Sequence, residues 1–466
     1  MPAAVVERST TLPVSAEAAF AWHERPGAFE RMVPPWERVS VIEQSGGLTD
    51  GARLVLRVMQ GPVPLRWVAR HRDTLAGRRF VDEQVEGPFS RWVHFHRFDP
   101  EGPASSRMTD RIEYTPPLGP AGLLAEPLIR HRLERMLAYR HTLLRDDLDA
   151  HTRFGESGRL RVAVTGASGL LGRALLPFLT TGGHEVLRLV RGHHHTSVQS
   201  PGEVYWDLRT GRIETGKLEG LDAVVHLAGE AIGARWSRDR KRRIRDSRAL
   251  GTRFLCEALA RLRKKPKVLV TASAVGIYGN RGDELLTEGS DTLAAPGDFL
   301  VDVGREWEAA TEPARAAGIR VVMTRFGPVL SPGGGMLAKM LPPFRAGLGG
   351  PLGSGAQWLS WISIDDAVGA VHHAIMSEAL SGPVNATAPQ PVTNREFTAT
   401  LARVLGRPAI LPVPAPALRL ALGEMGRVAV LGSARVVPER LTQAGYRFRH
   451  PALEGALRFV LGRETR

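Results

Sequence analysis

A single cysteine, Cys256, stands among 466 residues, so no disulfide can form within the chain and a reducing cytoplasm is the expected setting. Cys256 lies in F-L-C-E-A-L, an apolar helical stretch, and reads as a buried structural thiol instead of a nucleophile. No apolar run approaches the ~20 residues needed to cross a bilayer, so no membrane span is expected. The opening M-P-A-A-V-V-E-R lacks the long apolar core of a signal peptide. Internal repeats and low-complexity tracts are absent as well. What remains is the composition of a soluble globular protein, 43% apolar and 24% charged, too long for one core and divided into two or three domains.

Acidic residues are outnumbered, 48 against 62 lysines and arginines, giving a net charge of +14. The excess is spread along the chain without a nucleic-acid module or a basic tail, so no nucleic-acid partner is expected. Its densest run, Arg235 to Arg248, carries Trp236 and Ile244 as anchors. A helix with one basic, solvated face is the preferred reading, and an anionic ligand or partner is the alternative.

The stretch R-V-A-V-T-G-A-S-G-L-L-G, Arg161 to Gly172, says most about function. Four residues of strand character (Val162 to Thr165) run into Gly166, Gly169 and Gly172. Leu171, Ala174, Leu175, Phe178 and Leu179 then recur at helical spacing. Strand, tight glycine turn and helix together suit a pyrophosphate, which must approach the backbone closely and meets the free N–H groups of the helix end. Gly166 makes the turn, Gly169 clears space and Gly172 lets helix and strand pack, with Ser168, Leu170 and Leu171 completing the candidate cradle. A second strand, Glu185 to Val190, ends at Arg191, nineteen residues beyond Gly172. An acid there would hold the ribose hydroxyl of NAD, whereas arginine suits the 2′-phosphate of NADP, so NADP is expected over NAD. A solvated strand-end charge is the plainer alternative for Arg191. Further along, Asp207 follows a short strand and is placed to accept from an adenine amino group. Leu227, Ala228 and Gly229 close one strand with small residues, and Ala272 and Ser273 close the next. Every candidate lies just past a strand's C-terminus, where open α/β sheets bind ligands.

Residues 1–152 read differently. Ser15 caps a short helix. Runs of strand character follow at Val39 to Gln44, Arg53 to Met59, Leu65 to His71, Arg79 to Glu86, Arg91 to Phe98 and Arg107 to Tyr114. A long helix, Glu126 to Leu148, closes the segment with one stripe from Ile129 through Leu133, Met136, Leu137 and Leu144 to Leu148. His94 and His96 alternate with apolar residues and share a strand face, as two metal ligands would. No third ligand is near in sequence, so a solvated face is preferred and no metal site is expected. His193–His195, three consecutive histidines, read as an exposed loop.

This order of elements resembles the START-like or helix-grip ligand-binding domains, which implies a cavity for an apolar or amphipathic small molecule. The motifs T-G-A-S-G-L-L-G (165–172), H-L-A-G-E (226–230), T-A-S-A-V-G-I-Y-G (271–279) and W-I-S-I-D-D (361–366) resemble the extended short-chain dehydrogenase/reductases. R-F-G-P-V-L-S-P-G-G-G (325–335) and a small C-terminal extension narrow the resemblance to an atypical, epimerase-like subfamily. The fold implied is α/β, a doubly wound Rossmann sheet over 160–405, preceded by an α+β helix-grip domain (1–152) and a linker (153–159), and followed by a small helical domain (406–466).

One departure bears on chemistry. The family's catalytic tyrosine, and the lysine four residues on that lowers its pKa, correspond here to Phe299 and Val303. Ser273 matches the active-site serine. Tyr278, five residues later, is a candidate substitute acid that is equally suited to packing. Glu306 and Glu308 read as a solvated helix face. The loop Ser331 to Gly335 is flexible enough to cover a substrate, with Lys339 and Arg345 placed to meet an anion, or is a plain surface turn. The reading that results is an NADP(H)-binding oxidoreductase or epimerase-like enzyme acting on a small molecule. Its alternative is a non-catalytic NADPH-sensing or ligand-regulated binding protein.

Overall fold

The computed structural model describes residues 3–117, 122, 124–155, 158–191, 202–292 and 298–463. The histidine run at His193–His195 and part of the expected linker (residues 156–157) lie outside the described residues. Two compact units form, one built on residues 1–157 and the other on Gly158–Leu179 and His184–Val460.

In the N-terminal unit, β1 (Ala4–Leu12) leads to two short helices, α1 (Ala16–Glu24) and α2 (Ala28–Met32). The side chain of Ser15 caps α1 by accepting from the Ala18 amide. Six strands follow, β2 (Val39–Ser45), β3 (Arg53–Gln60), β4 (Val63–Leu75), β5 (Arg79–Glu86), β6 (Arg91–Gly102) and β7 (Ser105–Thr115), and then the long helix α3 (Glu126–Thr152). The strands make one antiparallel sheet in the order β1-β7-β6-β5-β4-β3-β2. The period-2 pattern decides which face is covered. On β7, Ser106, Met108, Asp110, Ile112 and Tyr114 are buried while Arg107 and Arg111 are exposed. Helix α3 contributes Leu133, Leu137, Leu144 and Leu148 to two separate apolar clusters, one around Phe20, Phe98 and Met108, the other around Trp92, Ile112 and Tyr114. A bidentate ion pair between Arg31 of α2 and Asp147 of α3 (2.7 and 2.9 Å) ties these helices together in the interior.

The second unit is an open sheet whose seven parallel strands carry one antiparallel edge strand. In chain order it comprises β8 (Arg161–Thr165), β9 (Glu185–Val190), β10 (Glu203–Asp207), β11 (Arg212–Ile213), β12 (Ala223–His226), β13 (Val268–Ala274), and two further strands, Arg320–Phe326 and Gly382–Ala386. The spatial order β11-β10-β9-β8-β12-β13 continues into those last two strands. Chain direction across the sheet therefore reverses between β8 and β12, which makes the gap beyond their C-terminal ends the topological switch point. The strands are apolar throughout, as burial on both faces requires: Val162, Ala163, Val164, Val224, Val225 and Leu269 are all fully buried. Cys256 lies in the same core, and burial pushes its thiol up to about 12, as expected of a structural cysteine.

Helix α4 (Leu170–Thr181) follows β8, α5 (Arg238–Ala260) follows β12, and α6 (Phe299–Ala309) precedes the Arg320–Phe326 strand. The basic run on α5 is the solvated, ion-paired face that composition suggested. Ser237 caps the helix, Trp236 and Ile244 are buried, and Lys241, Arg242 and Arg245 pair with Glu424, Asp239 and Glu306. Near the end of the chain, Asp366 of the W-I-S-I-D-D motif is fully buried. Its carboxylate accepts from the amides of Arg449 and His450 (2.7 and 3.0 Å), which pins the C-terminal segment to the sheet domain. No helix among the described residues is long and apolar enough to cross a membrane.

Candidate functional site

Beyond β8 the backbone turns at Gly166, where φ is +68°. The Gly169 amide closes the turn on the Gly166 carbonyl (2.9 Å), and α4 begins at Leu170. A Cβ on Gly172 would stand 2.3 Å from the Gly166 oxygen and 2.8 Å from Ala167 Cα, so only glycine lets helix and turn approach this closely. A Cβ on Gly166 would stand 2.7 Å from the Leu227 carbonyl carbon, which shows how tightly the loop after β12 straps the turn. Thr165 sets that apposition. Its hydroxyl oxygen accepts from the amides of Leu227 (3.1 Å) and Ala228 (3.2 Å) and lies 2.7 Å from His226 Nδ1. Burial lowers His226 to about 4, so the ring is neutral and joins Thr165 to Thr252 on α5.

The outer side of the turn is open. Ser168 and Gly169 are exposed, and a Cβ on Gly169 would meet nothing nearer than the Gly166 oxygen at 3.1 Å. The N–H groups of a helix's first turn and a close approach to the backbone at glycine are what a pyrophosphate requires, so the residues present fit a dinucleotide. Leu171 packs inward with Phe326, Val329 and Ile362, while Leu170 faces the loop after Leu330: a Cβ on Gly334 would lie 3.2 Å from Leu170 Cδ1. The S-P-G-G-G loop thus sits against the glycine turn, with Ser331 buried. Lys339 donates to the Gly233 carbonyl and Arg345 is exposed. Arg191 is exposed directly after β9. Asp207 ends β10, and its Oδ1 accepts from the Arg209 amide (2.9 Å), the main cause of its lowered pKa. Gly229 is exposed and backed by Arg248, whose guanidinium donates to the Glu230 carbonyl (2.9 Å). Ala228 and Ala272 are half-buried at neighbouring strand ends.

Around β13 the side chains form one buried chain of contacts. Ser273 Oγ donates to Glu308 Oε1 (2.7 Å). Arg325 grips the same carboxylate through Nε and Nη2 (2.8 Å each), and its Nη1 donates to the Tyr278 hydroxyl (2.8 Å). Tyr278 in turn donates to Asn385 Oδ1 (2.8 Å) and is fully buried. Burial pushes its phenol up, against the downward pull of Arg325. The solvated reading of Glu308 is therefore corrected: its side chain is 13% exposed and fixed by Arg325, whereas Glu306, on the outer side of α6, pairs with Arg245 at the surface. Sequence reasoning missed this group because the partner arginine lies on another strand. Phe299 and Val303, the positions at which the resemblance implies a tyrosine and a lysine, are buried with Trp236, Ile244 and Met425 in an apolar cluster.

The N-terminal unit encloses a cavity of about 700 Å³ between the sheet and α3. Its walls are mostly apolar, with Phe29, Met32, Leu54, Leu56, Trp67 and Trp92 among them, and His94 and His96 open onto it. The solvated-face reading of these histidines is thereby overturned; they are 3% and 4% exposed. Cross-strand register explains why: Asp82 of β5 stands opposite His94, and Asp110 of β7 stands opposite His96. Both lie on the inward face, so each histidine faces a carboxylate from a neighbouring strand. His96 Nδ1 is 2.7 Å from Asp110 Oδ1 and its Nε2 is 3.3 Å from Asp82 Oδ2, while His141 of α3 also reaches Asp110 (3.2 Å). Burial alone would lower His96, but Asp110 and Asp82 outweigh it and raise it to about 9. For His94 burial wins, and the ring falls to about 4.

The glycine turn, its strap and the switch point together define an NAD(P)-binding Rossmann protein. Comparison with known proteins sharpens that class. Residues 162–385 match the NAD dependent epimerase/dehydratase family, residues 12–138 the polyketide cyclase / dehydrase and lipid transport family, and residues 413–460 a domain of unknown function. An epimerase family protein of Mycobacterium bovis is 43% identical over 303 residues, 65% of this chain and 98% of that protein. The epimerase family protein YfhF of Bacillus subtilis is 39% identical over 307 residues, 66% of this chain and 100% of that one. The crystal structure of a nucleoside-diphosphate sugar epimerase from Corynebacterium glutamicum is similar with a TM-score of 0.79 at 36% identity, covering 98% of this chain and 90% of that one. That of the human epimerase family protein SDR39U1 with NADPH gives 0.58 at 33% identity, covering 65% of this chain and 99% of that one. This chain belongs to the epimerase family, with a START-like domain ahead of its NAD(P)-binding sheet.

Proposed function

We propose that the protein is an NADP(H)-dependent oxidoreductase or epimerase-like enzyme whose N-terminal domain holds an apolar or amphipathic ligand. The observation that carries the cofactor choice is Arg191. A guanidinium stands exposed at the end of β9, where an NAD-selective site would place an acid. The NADPH of the human relative supports the same choice. Bound there, the nicotinamide would supply or accept hydride. Gly166, Ser168, Gly169 and Gly172 hold the pyrophosphate, Asp207 the adenine, and Leu227 to Gly229 with Ala272 line the path toward the reacting end. Ser273 contacts the substrate oxygen, and Glu308 with Arg325 fixes its hydroxyl; the large apolar cavity supports the second ligand.

Replacing Arg191 by Asp is expected to weaken NADPH by about 1–3 kcal/mol, the worth of a charge-assisted hydrogen bond, with NADH little affected. Parallel calorimetric titrations read this directly, and equal losses for the two nucleotides would remove Arg191 from phosphate recognition. Ser273→Ala is expected to abolish most turnover while leaving NADPH affinity within about twofold, as for a group acting mainly in the transition state. An unchanged kcat would sink the assigned role.

A second reading, a sensor that binds NADPH without turnover, is favoured by one specific observation: the Tyr278 hydroxyl is committed to Arg325 and Asn385, while Phe299 and Val303, where the resemblance implies a tyrosine and a lysine, pack in an apolar cluster. Oxidation of NADPH in a broad carbonyl-substrate screen separates the two readings.

A further inference from the structure

The N-terminal cavity holds a feature that neither nucleotide binding nor an apolar ligand uses. A belt of ionisable side chains separates the two apolar clusters to which α3 contributes: Asp82, His94, His96, Asp110 and His141, with His71 beside Asp82. Desolvating so many polar groups inside a small domain is costly unless something answers them. Hydrogen bonds answer only some. His71 Nδ1 and Asp82 Oδ1 approach to 2.7 Å, as do His96 Nδ1 and Asp110 Oδ1. His94 Nε2 is buried without a hydrogen-bond partner, its nearest carboxylate oxygen, on Asp110, being 3.7 Å away. Arg140 of α3 lies within electrostatic reach of both carboxylates.

We propose that Asp82, His94 and His96 bind a divalent transition-metal ion on the wall of the N-terminal cavity, with Asp110 orienting His96. One ligand atom from each of the three residues lies within 4.8 Å of the other two. Two ligands held at roughly 2.0–2.1 Å by a tetrahedral ion stand about 3.3 Å apart, and His96 Nε2 and Asp82 Oδ2 are 3.3 Å apart. Asp110 faces the other nitrogen of His96, which is the carboxylate–histidine–metal arrangement that fixes a ligand's tautomer. Two imidazoles and one carboxylate suit zinc or iron(II) and leave a coordination position toward the cavity, where a ligand oxygen can bind. The site draws on strand register alone and stands whether or not the other unit prefers NADP.

The test uses the full chain with His193–His195 changed to serine, so that the histidine run contributes no signal. Stripped with chelator and titrated with Co²⁺ and Zn²⁺, it is expected to take up one equivalent, with visible Co²⁺ bands that Zn²⁺ abolishes. Asp82→Asn and His94→Gln, close in size and polarity, should remove the uptake, and Asp110→Asn should weaken it by about 10–100-fold. Absence of uptake, or uptake indifferent to Asp82→Asn and His94→Gln, overturns the proposal and leaves the belt as a proton-bridged network. Where those variants fail to fold, the electron paramagnetic resonance spectrum of the Cu²⁺-loaded parent decides: imidazole nitrogen couplings support the site and their absence contradicts it.

Discussion

Glu308→Ala should destabilise the nucleotide unit by about 3–5 kcal/mol, the usual cost of stranding one partner of a buried ion pair. The Arg325 side chain is only 5% exposed, and two of its nitrogens are spent on this carboxylate. Removing the carboxylate leaves a guanidinium with Tyr278 as its remaining side-chain acceptor, and deprives the Ser273 hydroxyl of its acceptor too. Urea unfolding reads the loss. The double variant Glu308→Leu/Arg325→Met separates a stranded charge from a lost shape, because an apolar pair of similar volume should recover most of the stability. If single and double variants are equally unstable, packing and not charge holds this part of the site. The double variant should still lack turnover, since Ser273 is then unpositioned.

Gly172→Val should lower NADPH affinity by roughly 5- to 150-fold, and Gly166→Val should lower it further through a different clash. Overpacking of this kind costs about 1–3 kcal/mol, and the valine on Gly166 adds about 1–3 kcal/mol for a β-branched residue held at positive φ. A Cβ on Gly172 points at the Gly166 oxygen 2.3 Å away, so relief requires the turn to open. That displaces the very amides that would face the pyrophosphate. Because the clash is confined to the second unit, the N-terminal unit should unfold as in the parent. Retained NADPH affinity in both variants would mean that the nucleotide does not lie on this turn.

These expectations rest partly on what the sequence makes readable. Local signals were sufficient for the strands of the N-terminal sheet, because alternation on each strand separates the two faces, and for the cap at Ser15, whose hydroxyl needs only an amide three residues on. The glycine turn was legible for the same reason: Gly169 and Gly172 answer contacts with Gly166 and Ala167 a few residues away, although Gly166 itself also faces Leu227 and Ala228. Pairing over long distances was not. Asp82 and Asp110 become partners of His94 and His96 only through the register of three strands, and no spacing in the sequence encodes that register. Glu308 looked like one more charge on a solvated helix, because the arginine that fixes it sits on the strand Arg320–Phe326. The strap at Leu227 and Ala228 could be placed at a strand end, but its bonds to Thr165 span the sheet's switch point and required the strand order.

The central claim is that the second unit binds a dinucleotide and reads its 2′-phosphate, and calorimetric titration of the full chain with NADPH and NADH in parallel tests it most directly. The account predicts one tight site for NADPH and clearly weaker binding of NADH. Absence of binding by either nucleotide, or tighter binding of NADH, would contradict it.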